Sequence, residues 1–374
     1  MKILLLGDFS NYHQCLAVTL RELGHQVTVV SDGCEWMDTA RDVDIARRFK
    51  GKLGGLDLWL RINTSLAHHL KGYDVVQINN PIFITLKPNR VRKIFDKLKR
   101  DNGAVFLTAM GNDKVFLDMC MDPNGPLKYN EWLVYGKPTR LLQEQPDIVN
   151  GWNNPILKEH CKYIYDNIDG ATTVLYEYDL ACKKVLPDDH IAYCGIPINT
   201  KDIIPTEITE IPQKVKFFLG IKSNHKILKG TDRFLDVTQK LVQAYPDKCE
   251  LKTVQNLPYA VFIQELKNSH VLLDQLYSYT PATTALIGMA HGLTTVTGGE
   301  DEYYDFIGEY ENRPIINAIP DDNELYKSLE QIVLNPEIIP ARAKSNRDFV
   351  IKHNDSTVVA KRYIDFWEKQ LNRK

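Results

Sequence analysis

One arrangement occurs twice in this chain and limits what it can fold into. A short apolar run ends in glycine and leads, through a polar loop, into a helix. The first instance is Lys2 to Leu6, followed by Gly7-Asp8-Phe9-Ser10-Asn11 and a helical run with Leu16, Ala17, Leu20 and Leu23 on one face. The second is Val215 to Leu219, followed by Gly220-Ile221-Lys222, with a helix opening at Lys229-Gly230-Thr231-Asp232. An uninterrupted apolar strand fits a parallel sheet covered on both faces. The glycine and the helix start bring backbone N–H groups and the positive end of a helix dipole to the strand's carboxyl end, where such sheets bind anions. Two of these units predict an α/β protein with two Rossmann-like, doubly wound parallel-sheet domains facing a cleft.

The bulk numbers agree with that division. A chain of 374 residues exceeds the size at which one hydrophobic core keeps growing. A formal net charge of -2 excludes a broadly basic nucleic-acid binder. The 7 cysteines are odd in number, scattered and without a CxxC pair, which argues against a disulfide framework or a zinc site and for reduced thiols. No apolar stretch reaches bilayer-spanning length, and Met1 to Leu6 is too short for a signal segment, so the expected location is cytoplasmic.

Further strands are predicted at 26–30, 73–78, 104–108, 171–175 and 191–193, alternating with helices. Residues 114–160, rich in Trp, Tyr, Asn and Pro, break the rhythm as an irregular insert, either capping a cleft or closing a small core of its own. Gly195-Ile196-Pro197-Ile198-Asn199 and the prolines at 205 and 212 read as a linker. A second series follows: strands at 215–219, 251–254, 270–274 and 294–297, with helices at 231–244, 258–268 and 281–291. A helix over 356–371 closes the chain. The expected domains are 1–203, 204–352 and a C-terminal helical segment 353–374 packing back on the first.

These residues resemble a GT-B glycosyltransferase, closest to the retaining family-four (group 1) type. The resemblance rests on the helix ending in Gly24-His25 before Val27-Thr28-Val29-Val30, the linker Gly195-Ile-Pro-Ile-Asn199, Lys229-Gly230 and Met289-Ala290-His291-Gly292. It implies that the first domain binds an acceptor, a glycan or a lipid-linked one, and the second a nucleotide diphosphosugar donor. It also implies sugar transfer with retention, with no cofactor and no metal ion. Three motifs depart from the family pattern. Its paired glutamates fall, in the register read here, on Thr280 and Gly288; its arginine after the strand-end glycine is Ile221, with Lys222 next door; and its His-Gly-x-Asp is Met110-Gly111-Asn112-Asp113. The missing glutamates favour a rival, a catalytically silent GT-B protein that binds a sugar nucleotide or supports a partner transferase. A second rival, a sugar-nucleotide 2-epimerase, needs paired carboxylates and histidines for which the sequence shows no convincing set.

Lys229 is the leading catalytic candidate, because a fixed cation stabilises the negative charge that grows on a departing diphosphate. Gly220, Lys222 and Gly230 join it as donor-binding residues, as does Gly7 at the end of the first strand. Thr297-Gly298-Gly299-Glu300 follows another strand; it would offer amides and a carboxylate to the donor, or serve as a plain turn with glutamate at a helix start. His13 is a candidate base, and Asp8 and Asn11 are candidate acceptor contacts, with helix capping as the competing account. Asn112 and Asp113 stand after a strand end, Asp113 to orient or deprotonate an acceptor hydroxyl, or to form a turn. Asp42-Val43-Asp44 reads as a helical, salt-bridged surface rather than a metal motif. Lys87 to Arg100 reads as a basic amphipathic helix, either resting on anionic lipid or packed on the sheet.

Overall fold

The computed structural model describes residues 1–34 and 38–373. Its first elements are β1 (Lys2–Leu6), α1 (Tyr12–Glu22), β2 (Gln26–Ser31), β3 (Val43–Asp44), α2 (Gly51–Asn63), β4 (Val75–Ile78), α3 (Pro88–Asp101), β5 (Ala104–Ala109) and α4 (Lys114–Cys120). A hairpin of β6 (Leu133–Val134) and β7 (Lys137–Pro138) comes next, then α5 (Arg140–Glu144), α6 (Asp147–Trp152), α7 (Pro155–Asn167), β8 (Ala171–Thr173), α8 (Tyr176–Cys182) and β9 (Ile191–Tyr193). The later part runs β10 (Val215–Ile221), α9 (Lys226–Lys229), α10 (Thr231–Ala244), β11 (Cys249–Gln255), α11 (Tyr259–Lys267), β12 (Val271–Leu273), α12 (Thr283–Ala290) and β13 (Thr294–Thr297). It ends with α13 (Asp301–Phe306), β14 (Ile316–Asn317), α14 (Asp322–Leu334), α15 (Ile338–Asn354) and α16 (Ser356–Leu371).

The chain divides into two compact units. One comprises Met1–Met119, Asp147–Pro197 and Ser356–Lys374; the other comprises Cys120–Pro146 and Ile198–Asp355. The first carries a seven-stranded sheet in the order β3-β2-β1-β4-β5-β8-β9, and the second a five-stranded sheet in the order β11-β10-β12-β13-β14. Every pairing in both sheets is parallel. Leu4 and Leu6 of β1, Val76 and Ile78 of β4 and Val105 and Leu107 of β5 sit in the first core. Phe217 and Leu219 of β10 pack with Phe234 and Leu241 of α10 in the second.

The boundaries differ from those expected. The first unit ends at Pro197 rather than 203, and only the last helix, from Ser356, returns to it. The middle of the irregular insert, Cys120–Pro146, belongs to the second unit; it buries Tyr129, Trp132 and Leu141 and makes polar contacts to the rest of that unit. The Lys128 amide donates to Tyr279 Oη at 2.7 Å, and Arg140 pairs with Asp232 at 2.9 Å. Asp42-Val43-Asp44 is not helical: Val43 and Asp44 form an edge strand on β2. Its charges are spent locally, Asp42 on Arg21 and Asp44 on Arg41. In α3 the apolar face of Val91, Ile94, Phe95 and Leu98 is buried in the core, so it has no apolar side to offer lipid. Among the described residues no helix is long and apolar enough to cross a membrane.

A buried polar network fixes α16 to its sheet. Tyr363 Oη meets Tyr12 Oη at 2.9 Å, Thr172 Oγ1 at 3.0 Å and Thr108 Oγ1 at 3.1 Å. Trp367 Nε1 donates to Gln77 Oε1 at 2.8 Å, and the Gln77 amide donates onward to Thr108 and Thr172. Replacing Trp367 with alanine removes a wholly buried indole and strands Gln77 Oε1. The expected cost is about 3–5 kcal/mol, read as a shift of the urea midpoint for the first unit; a shift under about 1 kcal/mol contradicts this account.

Candidate functional site

In each sheet the strand order reverses once: between β1 and β4 in the first, between β10 and β12 in the second. Successive connections leave opposite faces of the sheet there, and a crevice opens outside the strands' carboxyl ends. The sequence-predicted residues fall largely at these two points.

At the first, Gly7 adopts φ +81°, and a Cβ there would overlap the side-chain amide of Asn79, which follows β4. Glycine therefore lets the two strand ends approach. Asn11 is exposed in a left-handed turn and caps α1 without a side-chain hydrogen bond. Asp8 is buried: Oδ1 accepts from the His13 amide at 2.9 Å and Oδ2 from Thr39 Oγ1 at 3.1 Å. Burial raises its pKa, partly opposed by the backbone bond from His13. His13 lies in the interior, with Nδ1 2.5 Å from the Gly7 carbonyl. A carbonyl only accepts, so Nδ1 holds the proton and Nε2 presents a lone pair. That Nε2 and Asn79 Oδ1 are both buried without a hydrogen-bond partner.

Asp113 is buried as well, Oδ1 accepting from the Phe116 amide at 2.8 Å and Oδ2 from Tyr165 Oη at 2.7 Å. Both oxygens are thus engaged in starting α4 and anchoring α7, and desolvation raises the pKa of the carboxyl. Asn112 is half-buried; its carbonyl and that of Met110 accept from Asn80 Nδ2. The sequence reading passed over Asn79 and Asn80. The strand-end rule that selected Asn112 and Asp113 after β5 selects them after β4.

At the second reversal Lys229 closes α9, and its Nζ lies 2.9 Å from Asp274 Oδ1. Asp274 follows β12 and is nearly inaccessible, while its Oδ2 has no partner. Gly230, at φ +68°, turns the chain from α9 into α10; a Cβ would stand 2.8 Å from Leu276 Cβ. Gly220 lies within β10, and Lys222 follows it. His225 is held below its ordinary pKa by burial, then by the positive charges of Lys222 and Lys229, so three basic groups share this strand end.

Next to it, Thr297 ends β13 and its buried hydroxyl lacks a partner. Gly298 packs onto the Ser278 carbonyl, and the Gly299 amide donates to Asn317 Oδ1 at 2.9 Å. Glu300 caps α13, but its carboxylate is already engaged: Oε1 accepts from Tyr129 Oη at 2.6 Å and from Asn317 Nδ2 at 2.5 Å. Lys128 lies 3.9 Å from its other oxygen and 2.6 Å from Glu302. Tyr129, Lys128 and Asn317 carried no sequence signal, since a motif does not show which distant loop covers it. Thr280 is buried with its amide on Ser278 Oγ. Gly288 faces Leu272 of β12, where any side chain would be driven into the core. Among the described residues no three carboxylate, thiol or imidazole groups converge as a metal site requires.

No family model and no curated protein matches the chain. Its structure, however, is similar to a sucrose-phosphate synthase from Thermosynechococcus elongatus, with TM-score 0.65 and 12% identity over 100% of both chains. It is similar also to Anabaena HepE, solved with UDP and glucose, at TM-score 0.61 and 10% identity over 98% of this chain and 99% of that one. WaaG, a glycosyltransferase of lipopolysaccharide biosynthesis, gives TM-score 0.58 and 12% identity over 98% and 99%. The chain has the GT-B glycosyltransferase fold, with two Rossmann-like domains.

The His13 environment sets a pH dependence. Burial lowers its pKa from 6.5 to about 4, so between those values the unfolded chain binds the additional proton. Stability from this group is full above pH 6.5 and falls as pH drops toward 4, by ~3 kcal/mol in all. Chemical unfolding from pH 7 to 4 is expected to show this loss in the wild type and a flatter profile in His13→Gln; parallel profiles would exclude a buried neutral imidazole.

Proposed function

We propose that this chain transfers a sugar from a nucleotide diphosphosugar to a glycan or lipid-linked acceptor. The observation that carries the reading is the Lys229–Asp274 pair at the strand-order reversal of the second sheet. A buried carboxylate holds the ammonium group in place, beside Gly230, Lys222 and His225. A cation fixed at the carboxyl end of a parallel sheet suits a diphosphate. The UDP and glucose bound to HepE, which shares the fold, support the same reading.

In this proposal the bond between the sugar's anomeric carbon and the β-phosphate oxygen breaks, and its electron pair moves to the phosphate. Lys229, with Lys222, stabilises that charge without a metal ion. The acceptor hydroxyl attacks from the same face, its oxygen bonds to the anomeric carbon, and its proton passes to the departing phosphate. Retention of configuration follows, and no enzymatic nucleophile is needed. Asn11 and Asn112 are assigned to the acceptor side. His13 and Asp8 brace the β1–α1 loop that carries Gly7, and Asp113 braces the start of α4.

A second reading is a GT-B protein that binds a sugar nucleotide without transferring it. The engaged carboxylate of Glu300 favours it, because that group is not available to a donor hydroxyl unless Tyr129 and Asn317 release it.

Calorimetric titration of UDP, GDP, ADP and their sugar forms tests the donor site. One nucleotide is expected to bind with Kd on the order of micromolar and at least about tenfold more weakly to Lys229→Ala, a change of ~1.4 kcal/mol. No binding by any of them overturns the donor site. Binding without sugar transfer to any glycan or lipid acceptor leaves the silent reading standing.

A further inference from the structure

We propose that α2 and the segment leading into it form a membrane-contact surface that seats the first unit on an anionic bilayer. The inference is independent of the nucleotide site. The buried residues of α2 are Gly54, Gly55, Leu58 and Ile62, of which Leu58 and Ile62 join the core. On its other side Phe49, Leu53, Leu56 and Leu60 are 58%, 73%, 44% and 54% exposed. Leu53, Leu56 and Leu60, three and four residues apart, form one stripe along the helix, and Phe49 lies in the segment just before it. Isolated exposed leucines are ordinary, but an aligned row of three leucines with an exposed phenylalanine at its start marks a contact.

The charge around the stripe identifies the occupant. Arg47, Arg48, Lys50 and Lys52 are all exposed at its start. The one acidic side chain of the helix, Asp57, is paired with Arg61 at 3.2 Å. The basic helix α3 lies alongside, with Arg90 donating to the Gly55 carbonyl at 2.8 Å and Lys97 reaching Asn63 Oδ1 at 2.5 Å. Lys93 and Lys97 of α3, and Lys87 just before it, are exposed. Arg47 Nε also donates to the Thr85 carbonyl at 2.8 Å, next to an open apolar groove of about 540 Å³ lined by Ile82, Leu86, Pro88, Trp152 and Ile156. The protein as a whole has net charge -2, so this concentration of positive charge is local.

An apolar row with a cationic border complements a surface of acyl chains and acidic headgroups, into which the leucines sink while the lysines stay at the phosphates. A second copy fits less well. Two such faces would bring like charges together, and four side chains fall short of the roughly 800 Å² per partner of a stable interface.

Cosedimentation of the full chain with vesicles tests this. Vesicles mixing phosphatidylglycerol into phosphatidylcholine are expected to bind the protein, with affinity falling as salt rises, whereas pure phosphatidylcholine binds it at least tenfold more weakly. Leu53→Glu/Leu56→Glu is expected to lose at least tenfold of the affinity with an unchanged melting midpoint, since both side chains are exposed. In Leu53→Trp the emission of the new indole, read as the difference from wild type, is expected to shift to the blue on anionic vesicles. Absence of binding, equal binding by the glutamate variant, or an unshifted indole overturns the proposal. So does a concentration-dependent dimer in sedimentation velocity that the glutamate variant abolishes, which would make the stripe a self-contact.

Discussion

Parallel strands cannot be joined by tight turns. Each must be reached by a crossover, and a sheet built outward in both directions has one place where neighbouring connections leave opposite faces. The functional geometry of this chain depends on that constraint. At β1 and β4 it brings Gly7 against Asn79, with the orphan lone pair of His13 close behind. At β10 and β12 it brings Lys229 onto Asp274 across 45 residues of sequence. Neither pairing comes from local sequence; both come from which strand is laid beside which.

Burial decides what the charged groups at these points do. Asp8 and Asp113 both stand after strand ends, where ligands bind, yet each spends two oxygens on backbone amides and hydroxyls of its own unit. Desolvation raises the pKa of both, and the hydrogen bonds offset part of that cost. Lys229 differs because its ammonium is partly accessible while its counter-ion is not. Buried anchor and accessible cation together give a charge that is fixed but still available to a ligand, the preorganisation that electrostatic stabilisation of a leaving group needs.

The regular elements were legible. The expected helices at 231–244 and 356–371 and the strand at 294–297 have the bounds seen in the structure, because period 3.6 or a continuous apolar run is imposed by burial of that segment alone. Misreadings occurred where a neighbour overrode the local pattern. Asp42 to Asp44 carries charges at helical spacing but pairs with β2. By contrast, the amphipathic helix over Lys87 to Arg100 buries its apolar side in the core, the packed alternative of the sequence reading, while an exposed apolar row belongs to α2. The insert was seen as irregular, and its middle part belongs with the second unit.

The sequence by itself determined two parallel-sheet units, the glycines at their strand ends and the set of basic and polar residues that follow those strands. Local burial and backbone freedom dictate these within a few residues. Only the tertiary structure decided that Asp274 holds Lys229, that Tyr129 and Asn317 occupy Glu300, and that α16 returns to the first sheet through Tyr363 and Trp367. Each joins side chains far apart in sequence, and which ones meet is set by strand order and by the cost of burying a polar group without a hydrogen-bond partner.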